Sequence, residues 1–103
     1  MAKYGNKKTV VDGITFASKK EANRYCLLKL MERGGLIRDL ELQPPYRLEV
    51  NGVLVCKYVA DFRYVDAQTG EAVVEDAKGF KTREYNLKKK LVKAVHGIEI
   101  REV

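Results

Sequence analysis

The sequence predicts an α/β fold in which a mixed central β-sheet is flanked by two helices. Two segments carry helix-capping residues at both ends, whereas the segments around them are rich in β-branched and aromatic residues. The dipeptides Asp12-Gly13 and Asn51-Gly52 are typical of tight hairpin turns. A chain of 103 residues has the size of one domain, so we expect a single domain over residues 1–103.

Both predicted helices have recognisable ends. The first lies within "SKKEANRYCLLKLMERGG", where Ser18 is the candidate N-cap and Glu21, three residues later, completes a capping box. The glycine pair at its end is a stop signal. The second helix is predicted within "TREYNLKKKLVKAVHG", from Thr82 as N-cap to Gly97 as stop.

The remaining segments are predicted as strands. "TVVDGITF" is a hairpin, and "IRDLELQ" is a short strand that stops at the proline pair. "YRLEVNGVLVCKYVADFRYV" is a longer β segment, "EAVVEDAKG" is the next strand and "IEIREV" closes the chain. The final helix and strand are typical of a crossover between parallel strands. The polar residues 1–8 are expected to form an N-terminal arm.

The chain is basic, with 20 Lys and Arg against 14 Asp and Glu, a net charge of +6 and a pI of about 9.4. This excess favours nucleic acid or another anionic surface as the partner. No apolar run approaches the roughly 18 residues of a membrane span, and the N-terminus lacks a signal-peptide pattern. Cys26 and Cys56 lie in apolar contexts outside any CxxC pair, so we expect buried thiols and a cytoplasmic protein.

Acidic residues in two predicted strands raise the question of whether they form a catalytic or metal-binding site. In "VVEDAKGF", strand alternation places Asp76 and Lys78 on one face and Glu75 on the other. Asp61 lies in the middle of an apolar run, where a lone carboxylate is costly to bury unless it is paired or bound to a metal. If the two strands pair through the turn between them, Asp61 and Asp76 converge.

Two interpretations of this cluster remain open from residue types alone. The aspartates suit Mg²⁺, a hard cation that takes carboxylate oxygens, and Lys78 suits a developing phosphate charge. Alternatively, Asp61 and Asp76 accept hydrogen bonds from turn amides, and Lys78 forms a surface salt bridge.

The pattern "ADF … EDAKG" resembles the signature of the PD-(D/E)XK nuclease superfamily. Asp61 corresponds to its first acid, Asp76-Ala77-Lys78 to its (D/E)-x-K, and Glu21 to its helix acid. Ala60 replaces the usual proline, and Asp76 stands where Glu is more frequent. Glu75 also permits a shifted motif, but strand alternation favours Asp76.

Further stretches, "GITFASKKEA", "LQPPYRL" and "KKKLVKAVHGIEIREV", resemble small phage-encoded members of the superfamily. These are grouped as Holliday-junction-resolvase-like or recombination endonucleases. The resemblance implies a restriction-endonuclease-like core and a Mg²⁺- or Mn²⁺-dependent endonuclease acting on branched DNA in a bacterial host's cytoplasm. It implies metal ligation by Asp61, Asp76, the Ala77 carbonyl and Glu21, with Lys78 positioning water or stabilising charge. For Glu21, this role competes with helix capping.

Basic residues follow the proposed site closely, and they suit either DNA phosphates or a solvated face. The apolar stripe of the second helix is expected to be Leu87, Leu91 and Ala94 or Val95. The candidate DNA-binding residues are Lys81, Arg83, Lys88, Lys89, Lys90 and Lys93.

Two further polar residues and the assembly complete the expectations. Gln43 either orients a water or Lys78, or bonds to backbone, and His96 has a structural role at a helix C-terminus. A junction has two symmetric strands to cut, so we expect a homodimer. The alternative function is a non-catalytic nucleic-acid-binding module, or a phage interaction factor on the same fold.

Overall fold

The structure, a computed structural model, describes residues 7–78 and 81–103. Most of the expected N-terminal arm therefore lies outside the described residues. The described part of the chain contains two helices and eight strands. In chain order they are β1 (Thr9–Val11), β2 (Ile14–Phe16), α1 (Lys19–Arg33), β3 (Ile37–Leu42), β4 (Pro45–Val50), β5 (Val53–Val59), β6 (Phe62–Asp66), β7 (Ala72–Asp76), α2 (Arg83–His96) and β8 (Ile100–Glu102).

The helix boundaries confirm the predicted caps. The Ser18 hydroxyl accepts a hydrogen bond from the Glu21 N–H at the start of α1, and Gly34 follows its last residue. Thr82 caps α2 in the same way. Gly97 ends α2 with a φ of 70°, a left-handed conformation that costs glycine little.

A four-stranded mixed sheet lies at the centre, in the order β3-β6-β7-β8. β6 is antiparallel to β3 and β7, whereas β8 is parallel to β7. The mixed α/β class is thus confirmed, but the central sheet holds only part of the β structure. β1–β2 and β4–β5 form separate two-stranded sheets, because the Asp-Gly and Asn-Gly turns pair each strand with its immediate neighbour.

The two helices cover opposite faces of β6 and β7. Val73 packs into a cluster with residues of α1, and the next residue, Val74, packs into a cluster with residues of α2. Because successive side chains on a strand point to opposite faces, both faces of β7 are buried. Polar side chains on this strand therefore need partners inside the protein.

The predicted apolar stripe of α2 is largely wrong. Leu87 is 59% exposed, Ala94 and Val95 are also exposed, and only Leu91 is half-buried. The buried positions of α2 are Tyr85 and Val92, seven residues apart. The helix rests on the sheet through this face, where the large tyrosine ring joins the core with Leu48 and Ile100.

The cysteine prediction is also wrong in its burial. Both thiols are free, but Cys26 is exposed and Cys56 is half-buried. Cys26 follows Tyr25 on α1, and a one-residue step rotates the side chain about 100° away from the buried face. In the described part of the chain, no helix is long and apolar enough to span a membrane.

A buried ion pair joins α1 to β7. Glu75 is fully buried, and its two carboxylate oxygens accept hydrogen bonds from Arg24 Nε at 2.8 Å and Nη2 at 2.6 Å. The Tyr64 hydroxyl donates to the same carboxylate. A two-point contact of this kind fixes orientation as well as distance. It sets where α1 lies relative to the strand that carries Asp76.

We predict that Arg24→Ala lowers the free energy of unfolding by about 3–5 kcal/mol, because it leaves an uncompensated buried charge on Glu75. Combining Arg24→Met with Glu75→Gln recovers much of this loss, since no buried charge remains. Arg38→Ala removes an exposed ion pair with Asp39 and costs under about 1 kcal/mol. Urea unfolding measures all three. Equal losses for Arg24→Ala and Arg38→Ala contradict the prediction.

Candidate active site

Asp61 and Asp76 meet where β6 begins and β7 ends. The two strands are antiparallel with Phe62 opposite Glu75, so the residues flanking this pair become neighbours. Asp61 lies in the bend before β6 and Lys78 lies two residues past β7, which corrects the expectation that both occupy strands. The predicted convergence of the two aspartates nevertheless follows from the strand pairing.

Backbone N–H groups of Asp61 and Ala77 hold the two aspartate carboxylates. The Asp61 N–H donates to Asp76 Oδ1 at 2.8 Å, and Asp61 Oδ2 accepts from the Ala77 N–H at 2.8 Å. The interpretation that these carboxylates bond to backbone amides is thus correct for one oxygen of each. Asp76 is fully buried, and its Oδ2 has no hydrogen-bond partner among the described residues. A buried carboxylate oxygen without a partner is costly and calls for an explanation.

Burial and like charge dominate the electrostatics of the site. Burial raises the pKa of Asp76 to about 6, against the opposing effects of Lys78 and the Asp61 N–H. Burial also raises the pKa of Glu21 to about 7, with a further increase from Asp61. Lys78 lowers the pKa of Glu21 and Asp76 raises it. The three predicted acids and the predicted lysine therefore share one electrostatic environment.

Glu21 reaches the site from the first turn of α1. Its backbone N–H bonds to the Ser18 hydroxyl, which is one half of the predicted capping box. Its side chain is only 7% exposed, and none of the hydrogen bonds among the described residues engages its carboxylate. The cap uses the backbone of Glu21 and leaves the carboxylate available, so the two expected roles do not compete.

Glu75 does not belong to this site. Its carboxylate bonds to Arg24 and Tyr64 on the α1 side of the sheet. The separation of Glu75 from Asp76 by strand alternation is confirmed, since the neighbouring Val73 and Val74 also pack on opposite sides. The shifted motif is thereby disfavoured, because Glu75 is already fully engaged.

Lys78 lies against an aromatic ring. Its ammonium is 5.7 Å from the ring centroid of Tyr85, within the range of a cation–π contact. The Tyr85 hydroxyl donates to Glu102 at 3.0 Å. Lys78 takes part in none of the salt bridges found within residues 7–78 and 81–103, so the surface salt bridge of the alternative interpretation is not observed.

The residues present fit a magnesium ion, although the described residues alone do not form a complete set of metal ligands. Within the described ranges, no three His, Cys, Asp or Glu side chains form a group that could hold a metal. Mg²⁺ keeps several waters and commonly needs only one or two protein carboxylates together with substrate phosphate. The unpartnered Asp76 Oδ2 beside Asp61 meets that requirement. Ligation by Glu21 and by the Ala77 carbonyl stays a prediction.

Most of the predicted DNA-binding residues are engaged in ion pairs. Lys81 and Lys89 bond to Glu102 at 2.9 and 3.3 Å, and these contacts help to lower the Glu102 pKa to about 2. Among the described residues, Arg83 and Lys90 form no ion pair, and both are exposed. The other two pairs are Lys88–Glu84 at 3.0 Å and Lys93–Glu99 at 3.6 Å.

Gln43 and His96 contribute through contacts with backbone. The Gln43 backbone N–H, not its side-chain amide, donates to the Asp61 carbonyl at 2.9 Å and fixes the bend that carries Asp61. His96 Nε2 lies 2.7 Å from the Arg47 carbonyl oxygen, which links the end of α2 to β4. This contact supports the structural role expected for His96.

Sequence reasoning missed Arg24, Tyr85 and Glu102. A weak signal existed for Arg24, which lies three residues after Glu21 and therefore one helical turn further along α1. Glu102 stands beside Asp76 only because β8 pairs with β7 in a particular parallel register, which the sequence does not specify. In the sequence Tyr85 looks like an ordinary core aromatic residue, and its contact with Lys78 becomes evident only in the structure.

The buried acid Glu21 gives a testable dependence of stability on pH. Its pKa is higher in the folded state than the usual 4.5, so stability falls as pH rises from about 4.5 through 7. We predict that Glu21→Gln raises the melting temperature at pH 8 by about 5 °C or more, and changes it little at pH 4. Glu71→Gln, at an exposed acid, is the control. An equal effect of Glu21→Gln at both pH values contradicts the assignment.

Comparison with known proteins gives a family but no activity. Neither the curated proteins nor the solved structures contain a match to this chain. A protein-family model matches residues 1–101, nearly the whole chain. The chain therefore belongs to the family described as Protein of unknown function (DUF1064).

Proposed function

We propose that this protein is a metal-dependent DNA endonuclease that hydrolyses phosphodiester bonds. The observation that carries the proposal is the Asp61–Asp76 pair, in which backbone N–H groups fix one oxygen of each carboxylate. The remaining Asp76 oxygen is buried without a partner among the described residues. Such an arrangement is expensive to maintain for stability alone and suits a cation that arrives with the substrate.

The order of the elements supports a restriction-endonuclease-like core of the PD-(D/E)XK type. A helix that carries an acid precedes the antiparallel strands β6 and β7, and α2 and the parallel strand β8 follow. Asp61 and the Asp76-Ala77-Lys78 segment lie at the same end of the β6–β7 pair. This is the arrangement that the sequence motif implies.

The proposed chemistry divides between four side chains. Asp61 and Asp76 would hold Mg²⁺ or Mn²⁺, which supplies Lewis-acid polarisation of the phosphate when bound. Lys78 stabilises negative charge that develops on the phosphate oxygens. Glu21, whose pKa responds to Asp61, Lys78 and Asp76, would complete the site as a further ligand of the metal ion.

Substitution at Lys78 and Asp76 tests this assignment. Lys78→Ala should lower the cleavage rate by ~10²-fold or more with DNA affinity largely intact, because the lysine acts on transition-state charge. Asp76→Asn should also abolish cleavage while preserving the hydrogen bond from the Asp61 N–H. Asp39→Asn, at an exposed acid, is the matched control. The assay uses linear, nicked, flapped and four-way DNA with Mg²⁺, Mn²⁺ or a chelator.

Two results would count against the proposal in different ways. Wild-type protein that binds branched DNA but cuts none of these substrates with either metal favours a non-catalytic binding module. Equal cleavage by wild type and Lys78→Ala retains the enzyme but overturns the assignment of Lys78.

DNA contact is proposed for the basic residues of α2, and Arg83 and Lys90 are its best candidates because they are exposed and unpaired among the described residues. Arg83→Gln with Lys90→Gln should weaken DNA binding and reduce the slope of log affinity against log salt by about 2. Lys93→Gln, which removes a charge already paired with Glu99, should change the slope less. If the slope of log affinity against log salt is unchanged in the double variant, Arg83 and Lys90 face solvent and do not contact DNA phosphates.

Branched DNA as substrate and a homodimer as the active form are part of the proposal. A four-way junction presents two symmetric strands, and two copies related by a two-fold axis match that symmetry. Exposed apolar side chains on β5, which are Val53, Leu54, Val55 and Val59, support such an assembly because they offer surface for a second copy. The proposed site of action is the cytoplasm of a bacterial host.

A further inference from the structure

The ring of Tyr85 lies beside the proposed catalytic lysine. Tyr85 is a buried residue in the first turn of α2, and its ring centroid is 5.7 Å from the Lys78 ammonium. A cation over an aromatic face is attracted by the ring quadrupole, and the attraction grows where water is excluded. Because Lys78 is half-buried, this ring limits the directions that the lysine side chain can take.

A hydrogen bond fixes the orientation of the ring. The Tyr85 hydroxyl donates to Glu102 at 3.0 Å, which joins α2 to β8. Glu102 is the neighbour of Asp76 in the parallel pairing of β8 with β7. The tyrosine is therefore held at two points, by its backbone in α2 and by its hydroxyl at the strand next to the candidate site.

The acid that holds Tyr85 is already engaged by other donors. Lys81 and Lys89 bind Glu102 at 2.9 and 3.3 Å, so its carboxylate has three donors together with the Tyr85 hydroxyl. Among the described residues, Lys78 joins no such pair and rests on the tyrosine ring instead. An ion pair with Glu102 would neutralise Lys78, whereas the contact with a ring leaves its charge available to a ligand.

The Lys78 ammonium also acts on the acids of the site. Burial raises the pKa of Asp76 to about 6, and the largest opposing effect comes from Lys78. Burial and Asp61 raise the pKa of Glu21 to about 7, again against an opposing effect of Lys78. The ammonium is thus close enough to influence both carboxylates while it contacts the Tyr85 ring.

We propose that Tyr85 is a positioning residue for Lys78, and that its ring holds the lysine ammonium beside the Asp61–Asp76 pair. Glu102 contributes indirectly, because it fixes the ring. The inference rests on the proposed function for the step that Lys78 serves, the stabilisation of charge on the phosphate. The ring contacts no reacting atom in this assignment, so its effect on the rate passes through the lysine.

NMR tests the contact without metal or DNA. The ring current of an aromatic side chain moves the resonances of protons above its face upfield. The Lys78 ε-methylene resonances, identified by their loss in Lys78→Ala, should lie upfield of those of exposed lysines. Tyr85→Phe should keep this shift, and Tyr85→Leu should abolish it. Tyr25→Leu is the matched control, because Tyr25 is also a buried helical tyrosine whose hydroxyl donates to an acid, Asp12, at 3.0 Å.

A cleavage assay with a double-mutant cycle tests the role. Tyr85→Leu should lower kcat by about tenfold or more with KM little changed, since a misplacement of about 1 Å can cost ~10²-fold. Tyr85→Phe keeps the ring and should recover most of the lost rate. In the Lys78→Ala background Tyr85→Leu should have almost no further effect, because residues that act as a unit are not additive. Tyr25→Leu should leave kcat unchanged, since that ring packs against Phe16.

Three results would overturn the positioning role. They are Lys78 resonances that do not respond to Tyr85→Leu, an equal loss of kcat in Tyr85→Leu and Tyr25→Leu, and a loss in the Lys78→Ala background as large as in wild type. If Tyr85→Leu does not fold, the wild-type spectrum decides, since Lys78 resonances at the position of exposed lysines contradict the contact. A ring-shifted Lys78 in a protein that cuts no DNA retains the positioning and rejects the endonuclease. Cleavage that needs Lys78 but not the Tyr85 ring retains the endonuclease and rejects the positioning.

Discussion

The bidentate contact between Arg24 and Glu75 determines the geometry of everything around the candidate site. It fixes α1 against β7 at the residue that precedes Asp76, with both Glu75 oxygens engaged. Glu21 lies one helical turn before Arg24 on α1, so the same contact determines where the Glu21 carboxylate stands. On the opposite face of β7, Asp76 is left to pair with the bend at Asp61. One buried ion pair thus distinguishes Glu75 from its neighbour Asp76, to which the proposal assigns the metal.

Burying several acidic side chains near the end of β7 costs free energy, and the surrounding contacts offset only part of that cost. Glu75 is neutralised by Arg24, whereas Asp76 receives one hydrogen bond from backbone and keeps a buried oxygen without a partner in the described chain. Glu21 and Asp76 both have raised pKa values because burial and like charges disfavour ionisation. A divalent cation would offset the like charges and give the unpartnered Asp76 oxygen a ligand, which supports the proposal of metal-dependent chemistry.

Local signals in the sequence predicted local structure well. The caps at Ser18 and Thr82 rest on short-range hydrogen bonds, and the convergence of Asp61 with Asp76 needed only hairpin pairing and strand alternation. The sequence-based predictions that failed concern tertiary packing. Leu87 and Cys26 look like core residues in the sequence, but the side of each helix that meets the sheet is set by larger residues such as Tyr85. The Glu102 contacts with lysine depend on the register of β8 and were not predictable.

The central claim is that Asp61 and Asp76 together bind a divalent cation, and a crystal structure with Mn²⁺ tests it most directly. Anomalous scattering locates Mn²⁺ without reference to its ligands. The account predicts a peak at about 2.0–2.2 Å, the bond length typical of small hard cations, from Asp76 Oδ2 and from an Asp61 carboxylate oxygen. It also predicts that this peak disappears in Asp76→Asn. Saturating Mn²⁺ that gives no peak between these carboxylates, in crystals where no neighbouring molecule covers this end of β7, would contradict the account.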